Sequence, residues 1–224
     1  LPELTAGYTM ELALREAREI GFTGVERGQR MPQDTAGLRA YLQDADIALC
    51  GGWCSGNLLV SSVADECAAI RQQVTQFIDL QSPCLVYAEC SNTVQGQPNT
   101  PVNDRPKLSR DEIKTYAAKL SEVANWMADA GMTLAYHHHM GSIIESEADI
   151  DALMDGSSDA VTLLFDTGHL HFGGGNVLAT LDRWAHRVKH VHFKDVRDPI
   201  ARSIRDGGKS FLDTQDILFG NVSL

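Results

Sequence analysis

Short apolar runs and longer amphipathic stretches alternate along this chain. Between residues 9 and 20, Leu12, Ala13, Ala17 and Ile20 recur at helical spacing, and Gly21 supplies a stop. Comparable spacing predicts helices over 35–44, 64–80, 109–130, 146–154 and 176–186. Ser109 with Glu112 has the spacing of a capping box, and Gly131 ends that helix. Compact apolar runs predict strands at 22–26, 47–50, 84–88, 132–137, 161–165 and 188–193. The stretch 90–108 is rich in Asn, Pro, Gln and Thr and reads as a long excursion suited to an active-site lid. A further helix start and a turn are expected at 211–221.

Strands that alternate with helices imply parallel pairing through right-handed crossovers. The choice is then between an open doubly wound sheet and a closed barrel. No Gly-x-Gly-x-x-Gly opens any helix; Gly173-Gly174-Gly175 is a glycine run of another kind. Polar groups stand at the C-terminal end of nearly every strand: Glu26, Trp53, Glu89, His137 and His139, Asp166 and His169, His192 and Lys194. An open sheet concentrates its site at one switch point, whereas a barrel draws on many strand ends. The expected fold is therefore α/β, a (β/α)8 TIM barrel forming a single domain over 1–224. Six strands are visible, so the first and last strands of such a barrel are expected to lie outside this sequence.

Composition narrows the function classes. The 224 residues carry a formal net charge of −11, which argues against phosphate-backbone partners and so against nucleic acid. No apolar run approaches membrane-spanning length and no secretory signal opens the chain, so a cytoplasmic protein without a membrane partner is expected. The five cysteines, Cys50, Cys54, Cys67, Cys84 and Cys90, match no zinc spacing and read as free thiols. Self-association is left open.

The chemistry is concentrated in the second half. All eight histidines fall between positions 137 and 192, and seven sit beside the runs LAYHHHMG, LLFDTGHLHFG and VKHVHFKD. Imidazole with carboxylate is a common donor set for borderline divalent ions. Alternate strand residues share a face, so His190, His192 and Lys194 point together, as do His137 and His139. His192 sits at a strand end and is read as a ligand, whereas a buried, hydrogen-bonded role is as good a reading of His190. His138 reads as structural and His171 as loop. Asp166 follows Leu163-Leu164-Phe165, where an unpaired carboxylate is costly to bury. Thr167-Gly168 lets His169 curl over the same mouth. Glu89 ends an apolar run as a base or hydroxyl contact, Glu26 makes a weaker case, and Trp53 offers an apolar wall.

At Tyr136-His137-His138-His139-Met140-Gly141, Phe165-Asp166-Thr167-Gly168-His169 and His190-Val191-His192-Phe193-Lys194-Asp195-Val196-Arg197 the chain resembles the inosose dehydratases, a family within the xylose-isomerase-like sugar isomerase/epimerase superfamily. The resemblance runs along essentially the whole chain. It implies one divalent metal, manganese or cobalt, held by His137, Asp166 and His192, with a histidine in place of the superfamily's usual glutamate. A fourth carboxylate is expected on a strand beyond Leu224.

The implied reaction is dehydration of a small polyol ketone, 2-keto-myo-inositol (scyllo-inosose), to a trihydroxycyclohexane-dione through an enediolate. The implied base is His139 or Glu89 and the acid Lys194 or His169, with Glu26, Trp53 and Arg197 contacting substrate. Isomerisation or epimerisation of a keto sugar is the nearest alternative. A non-catalytic sugar-binding barrel and an abasic-site endonuclease are more distant ones.

Overall fold

The computed structural model describes residues 9–212. Six strands, β1 (Gly24–Arg27), β2 (Ala48–Gly56), β3 (Leu85–Glu89), β4 (Leu134–His137), β5 (Val161–Asp166) and β6 (Val188–His192), lie in one sheet in sequence order. Every neighbouring pair is parallel. The order never reverses, so the sheet has no switch point and curls as a barrel wall. Glu26 on β1 hydrogen-bonds His190 and His192 on β6, which brings the two outer strands face to face across the interior.

Helices cover the convex side. They are α1 (Met10–Ile20), α2 (Thr35–Asp44), α3 (Val63–Asp79), α4 (Arg110–Asp129), α5 (Glu147–Gly156), α6 (Thr167–Phe172), α7 (Val177–Trp184) and α8 (Asp198–Gly207). Sequence chemistry starts and stops them. Ser109 and Glu112 form the expected capping box on α4, Ser146 and Asp149 form another on α5, and Gly21 closes α1 in the left-handed conformation.

Strand parity sorts the core. Leu85, Tyr87, Leu134, Tyr136, Leu163 and Phe165 pack under the helices, while Cys84, Val86, Ala135 and Leu164 fill the inside of the curl. Above that inner layer, Val102, Met140, Phe172, Ala201 and Ile204 form a separate apolar cap at the C-terminal ends of the strands.

Three features differ from the sequence expectation. β2 does not end at its glycines but runs on to Gly56, because the glycines serve close packing rather than a turn. A Cβ at Gly52 would fall 2.8 Å from the Phe77 ring, and one at Gly56 would overlap the Tyr87 phenol. Residues 167–172 form α6, so His171, expected as loop, is helical and pairs with Asp198 at 2.5 Å. α8 was not expected, and the helix start expected at 211–221 falls almost entirely outside the described residues.

The excursion 90–108 is pinned rather than free. Arg105 reaches Glu145 at 3.1 Å and Asp149 at 2.9 Å, with all three side chains largely buried, and Val102 N–H donates to Lys209 O at 3.0 Å. Arg105→Ala strands two neighbouring carboxylates. It is expected to cost about 3 kcal/mol in a urea unfolding titration. A change below about 1 kcal/mol would mean that the apolar cap alone holds the excursion.

Candidate functional site

The strand ends meet in one polar cluster, and Asp166 is its centre. The residue is fully buried, and its two oxygens do different work. Oδ1 accepts from Gly168 N–H and His169 N–H, both at 3.0 Å, and so caps α6. That cap turns the chain back and brings His169 over the cluster. Oδ2 faces His137 Nε2 at 3.2 Å, His192 Nδ1 at 3.5 Å and His169 Nε2 at 3.7 Å, and the Lys194 ammonium rests against it. Burial opposes the charge, but His169, His137, His192 and Lys194 outweigh it and hold the carboxyl far below the usual range.

The neighbours are fixed in turn. His138 Nε2 accepts the Asp166 N–H at 3.2 Å, the structural role expected of it. Thr167 Oγ1 accepts from Lys194 N–H at 2.9 Å and donates to Lys194 O at 3.0 Å, which ties the end of β6 to α6. His139 Nδ1 donates to Met140 O at 2.7 Å, leaving Nε2 as the acceptor nitrogen of a neutral ring. Burial depresses the imidazolium forms of His137, His138 and His139, to about 3, 3 and 4. His169 is pushed down by burial as well.

His192 stands between two carboxylates. Its Nδ1 faces Asp166, and its Nε2 lies 2.6 Å from Glu26 Oε1. Burial works against its charge, but hydrogen bonds to Asp166 and Glu26 prevail and raise it to about 9. His190 shares Glu26 Oε1 at 2.6 Å; the neighbouring Cys84 sulfur, then the bond to Glu26, raises it to about 9 as well.

The expected ligands His137, Asp166 and His192 are thus brought together, but not as one closed trio. The tightest grouping of donor atoms is His137, Asp166 and His169, all within 4.8 Å of one another, while His192 groups with Glu26 and His190. The donor set suits a borderline divalent ion. His137 Nδ1 is buried without a hydrogen-bond partner among the described residues, and three imidazoles and an ammonium crowd one carboxylate oxygen.

Trp53 stands edge-on to His137 at 5.5 Å and to His139 at 6.0 Å between centroids. Glu89 is not brought into the cluster. Its register opposite Gly56 turns it to the helix side of β3, where its carboxylate accepts from Leu59 N–H at 3.1 Å, Ser91 N–H at 2.9 Å and the Ser91 hydroxyl. Burial raises its pKa. Arg197 is exposed at the N-cap of α8. Phe211 was missed from sequence; its ring lies 5.1 Å from that of His139 and 6.2 Å from that of His169, roofing the site.

Residues 14–216 match the family model described as xylose isomerase-like TIM barrel. The chain belongs to the xylose isomerase-like TIM barrel family. Within it, the chain is 38% identical over 213 residues to the rhizopine catabolism protein MocC of Rhizobium meliloti, covering 95% of this chain and 66% of that protein. It is 33% identical over 214 residues to an inosose dehydratase of Geobacillus thermodenitrificans, covering 95% and 72%. The chain therefore spans about two thirds of the length of these relatives. A solved structure, the IolI protein with a zinc atom, superposes with a TM-score of 0.64 at 17% identity, covering 84% of this chain and 68% of that one. At that identity the likeness concerns the fold. Among the described residues no helix is long and apolar enough to cross a membrane.

Proposed function

We propose that this protein is a carbon–oxygen lyase that dehydrates 2-keto-myo-inositol (scyllo-inosose) to a trihydroxycyclohexane-dione. The observation that carries the reading is the convergence of His137, His169, His192 and Lys194 on one oxygen of Asp166 at the barrel mouth. The identity to an inosose dehydratase supports the choice of elimination over isomerisation or epimerisation. Asp166, His137 and His192, joined by His169, are the residues that would hold a divalent ion. Manganese or cobalt suits their mixed imidazole and carboxylate donors. Such an ion supplies Lewis-acid stabilisation of the charge that develops on the carbonyl oxygen.

The remaining steps belong to the chain. His139, neutral and with Nδ1 committed to Met140 O, presents Nε2 as the base that takes the proton alpha to the ketone. Glu89 is set aside for this role because its carboxylate is committed to Leu59 and Ser91. The Lys194 ammonium gives a proton to the departing beta hydroxyl, which leaves as water, and the enol tautomerises to the second ketone. Trp53 and Phe211 wall the site and limit water around the enolate.

Product analysis tests the reading. With scyllo-inosose and added manganese or cobalt, the dione is expected to form, and a chelated control is expected to give none. His192→Ala is expected to lower both metal content and turnover by at least roughly tenfold. Metal bound tightly with no dione would move the protein to the isomerases and epimerases, and full metal content and turnover in His192→Ala would remove His192 from the set.

A further inference from the structure

We propose that Glu26, His190 and His192 form a second divalent-cation site, of the zinc class, beside the one gathered on Asp166. Three observations carry it. Glu26 Oε1 lies 2.6 Å from both His190 Nε2 and His192 Nε2, and the donor atoms all fall within 4.8 Å of one another. One carboxylate with two imidazoles is a donor set that zinc takes in catalytic sites, where it keeps a further position open.

The rings are also aimed. The His190 and His192 rings stand edge-on to each other with centroids 5.4 Å apart, an arrangement that lets both Nε2 atoms reach the same Glu26 oxygen. The site is reachable as well. The side chains of His190, His192 and Glu26 retain 16, 25 and 31% exposure, in contrast to the sealed pair His137 and Asp166 at 4 and 0%.

The two sites share a wall without sharing a donor atom. His192 turns Nδ1 to Asp166 and Nε2 to Glu26, so each ion meets a different nitrogen of one ring or leaves that ring to its neighbour. The Asp166 site keeps His137 and His169 in either case. Binding at Glu26 displaces the protons now shared between Oε1 and the two rings, so uptake releases protons to the buffer.

The test uses the full chain, stripped with chelator, loaded with Zn²⁺, desalted and measured by elemental mass spectrometry. The wild type is expected to hold two equivalents. Glu26→Gln and His190→Asn are each expected to hold one, and Asp166→Asn is expected to keep the Glu26 equivalent. Cobalt absorption bands reporting the Glu26 site are expected to vanish in Glu26→Gln and to persist in Asp166→Asn. Far-UV circular dichroism verifies folding of each variant, and the two separate substitutions guard against loss of one to misfolding.

Two equivalents undiminished in both Glu26→Gln and His190→Asn would overturn the proposal. So would a single wild-type equivalent that survives Glu26→Gln or is lost from both Glu26→Gln and Asp166→Asn. A single equivalent lost in Glu26→Gln but kept in Asp166→Asn supports this site and instead sinks the Asp166 assignment.

Discussion

Asp166→Asn is expected to lower turnover by roughly 10³-fold while leaving α6 in place. Asparagine caps a helix about as well as aspartate, so the hydrogen bonds from Gly168 and His169 to Oδ1 survive. What disappears is the negative charge at Oδ2, which three imidazoles and the Lys194 ammonium now share. Removing the carboxylate charge that this half-buried ammonium rests against is expected to cost about 3 kcal/mol of stability. Asp166→Ala loses the cap too and is expected to cost about 1 kcal/mol more, so the pair of variants separates the two oxygens. Steady-state kinetics, metal content and urea titration read the three quantities. Retention of metal and wild-type turnover in Asp166→Asn would show that Oδ2 has no part in the chemistry.

The chelated protein is expected to lose stability steeply just below neutrality. His137, His138 and His139 have imidazolium pKa values lowered to about 3, 3 and 4, against an ordinary value of 6.5. A depressed folded value means that the stability these rings contribute is present above the unfolded pKa and is lost as pH falls. In that window the unfolded chain binds protons that the folded one refuses. From pH 6.5 to 5.5 each ring costs about 1 kcal/mol, roughly 3 for the three, against a typical total of about 5–15. Most carboxylates titrate below this window, which makes it diagnostic.

His190 and His192 act with the opposite sign. Both are raised to about 9, so their contribution is whole below 6.5 and fades as pH rises through 9. Urea midpoints in chelator at pH 7.0, 6.5 and 5.5 check the acid limb. Equal midpoints would mean that the triple histidine is solvated or protonated in the fold.

The strand ends were legible because each is an apolar run broken by a charged or imidazole side chain, as at Phe165-Asp166 and Val191-His192. The capping box at Ser109 was legible because it depends on residues three apart and nothing distant. Glu89 was misplaced because its position at a strand end outweighed its parity. Cys84 and Val86 face the inside of the curl while Leu85 and Tyr87 pack under the helices, and Glu89 has the parity of the second pair.

α6 is too short for a period to declare itself and owes its start to the Asp166 cap. α8 did leave a signal: Asp198-Pro199 at its start, Ile200, Ala201 and Ile204 at helical spacing, and Gly207-Gly208 at its end. Phe211 left none, since a lone aromatic among Gly, Lys and Ser has no periodicity. The pairing of Glu26 with His190 and His192 is purely tertiary, and no local pattern encodes it.

That pairing sets the timing of assembly. Every strand of the sheet pairs with its predecessor in sequence, so the wall can zip up as the chain emerges, with modest loop closure at each addition. The Glu26 bridge is the exception, joining residues 164 and 166 positions apart. Its closure comes only after the intervening strands are laid down, so secondary structure is complete before the mouth acquires its chemistry. Refolding followed by far-UV circular dichroism should therefore finish ahead of the recovery of metal binding at Glu26, His190 and His192.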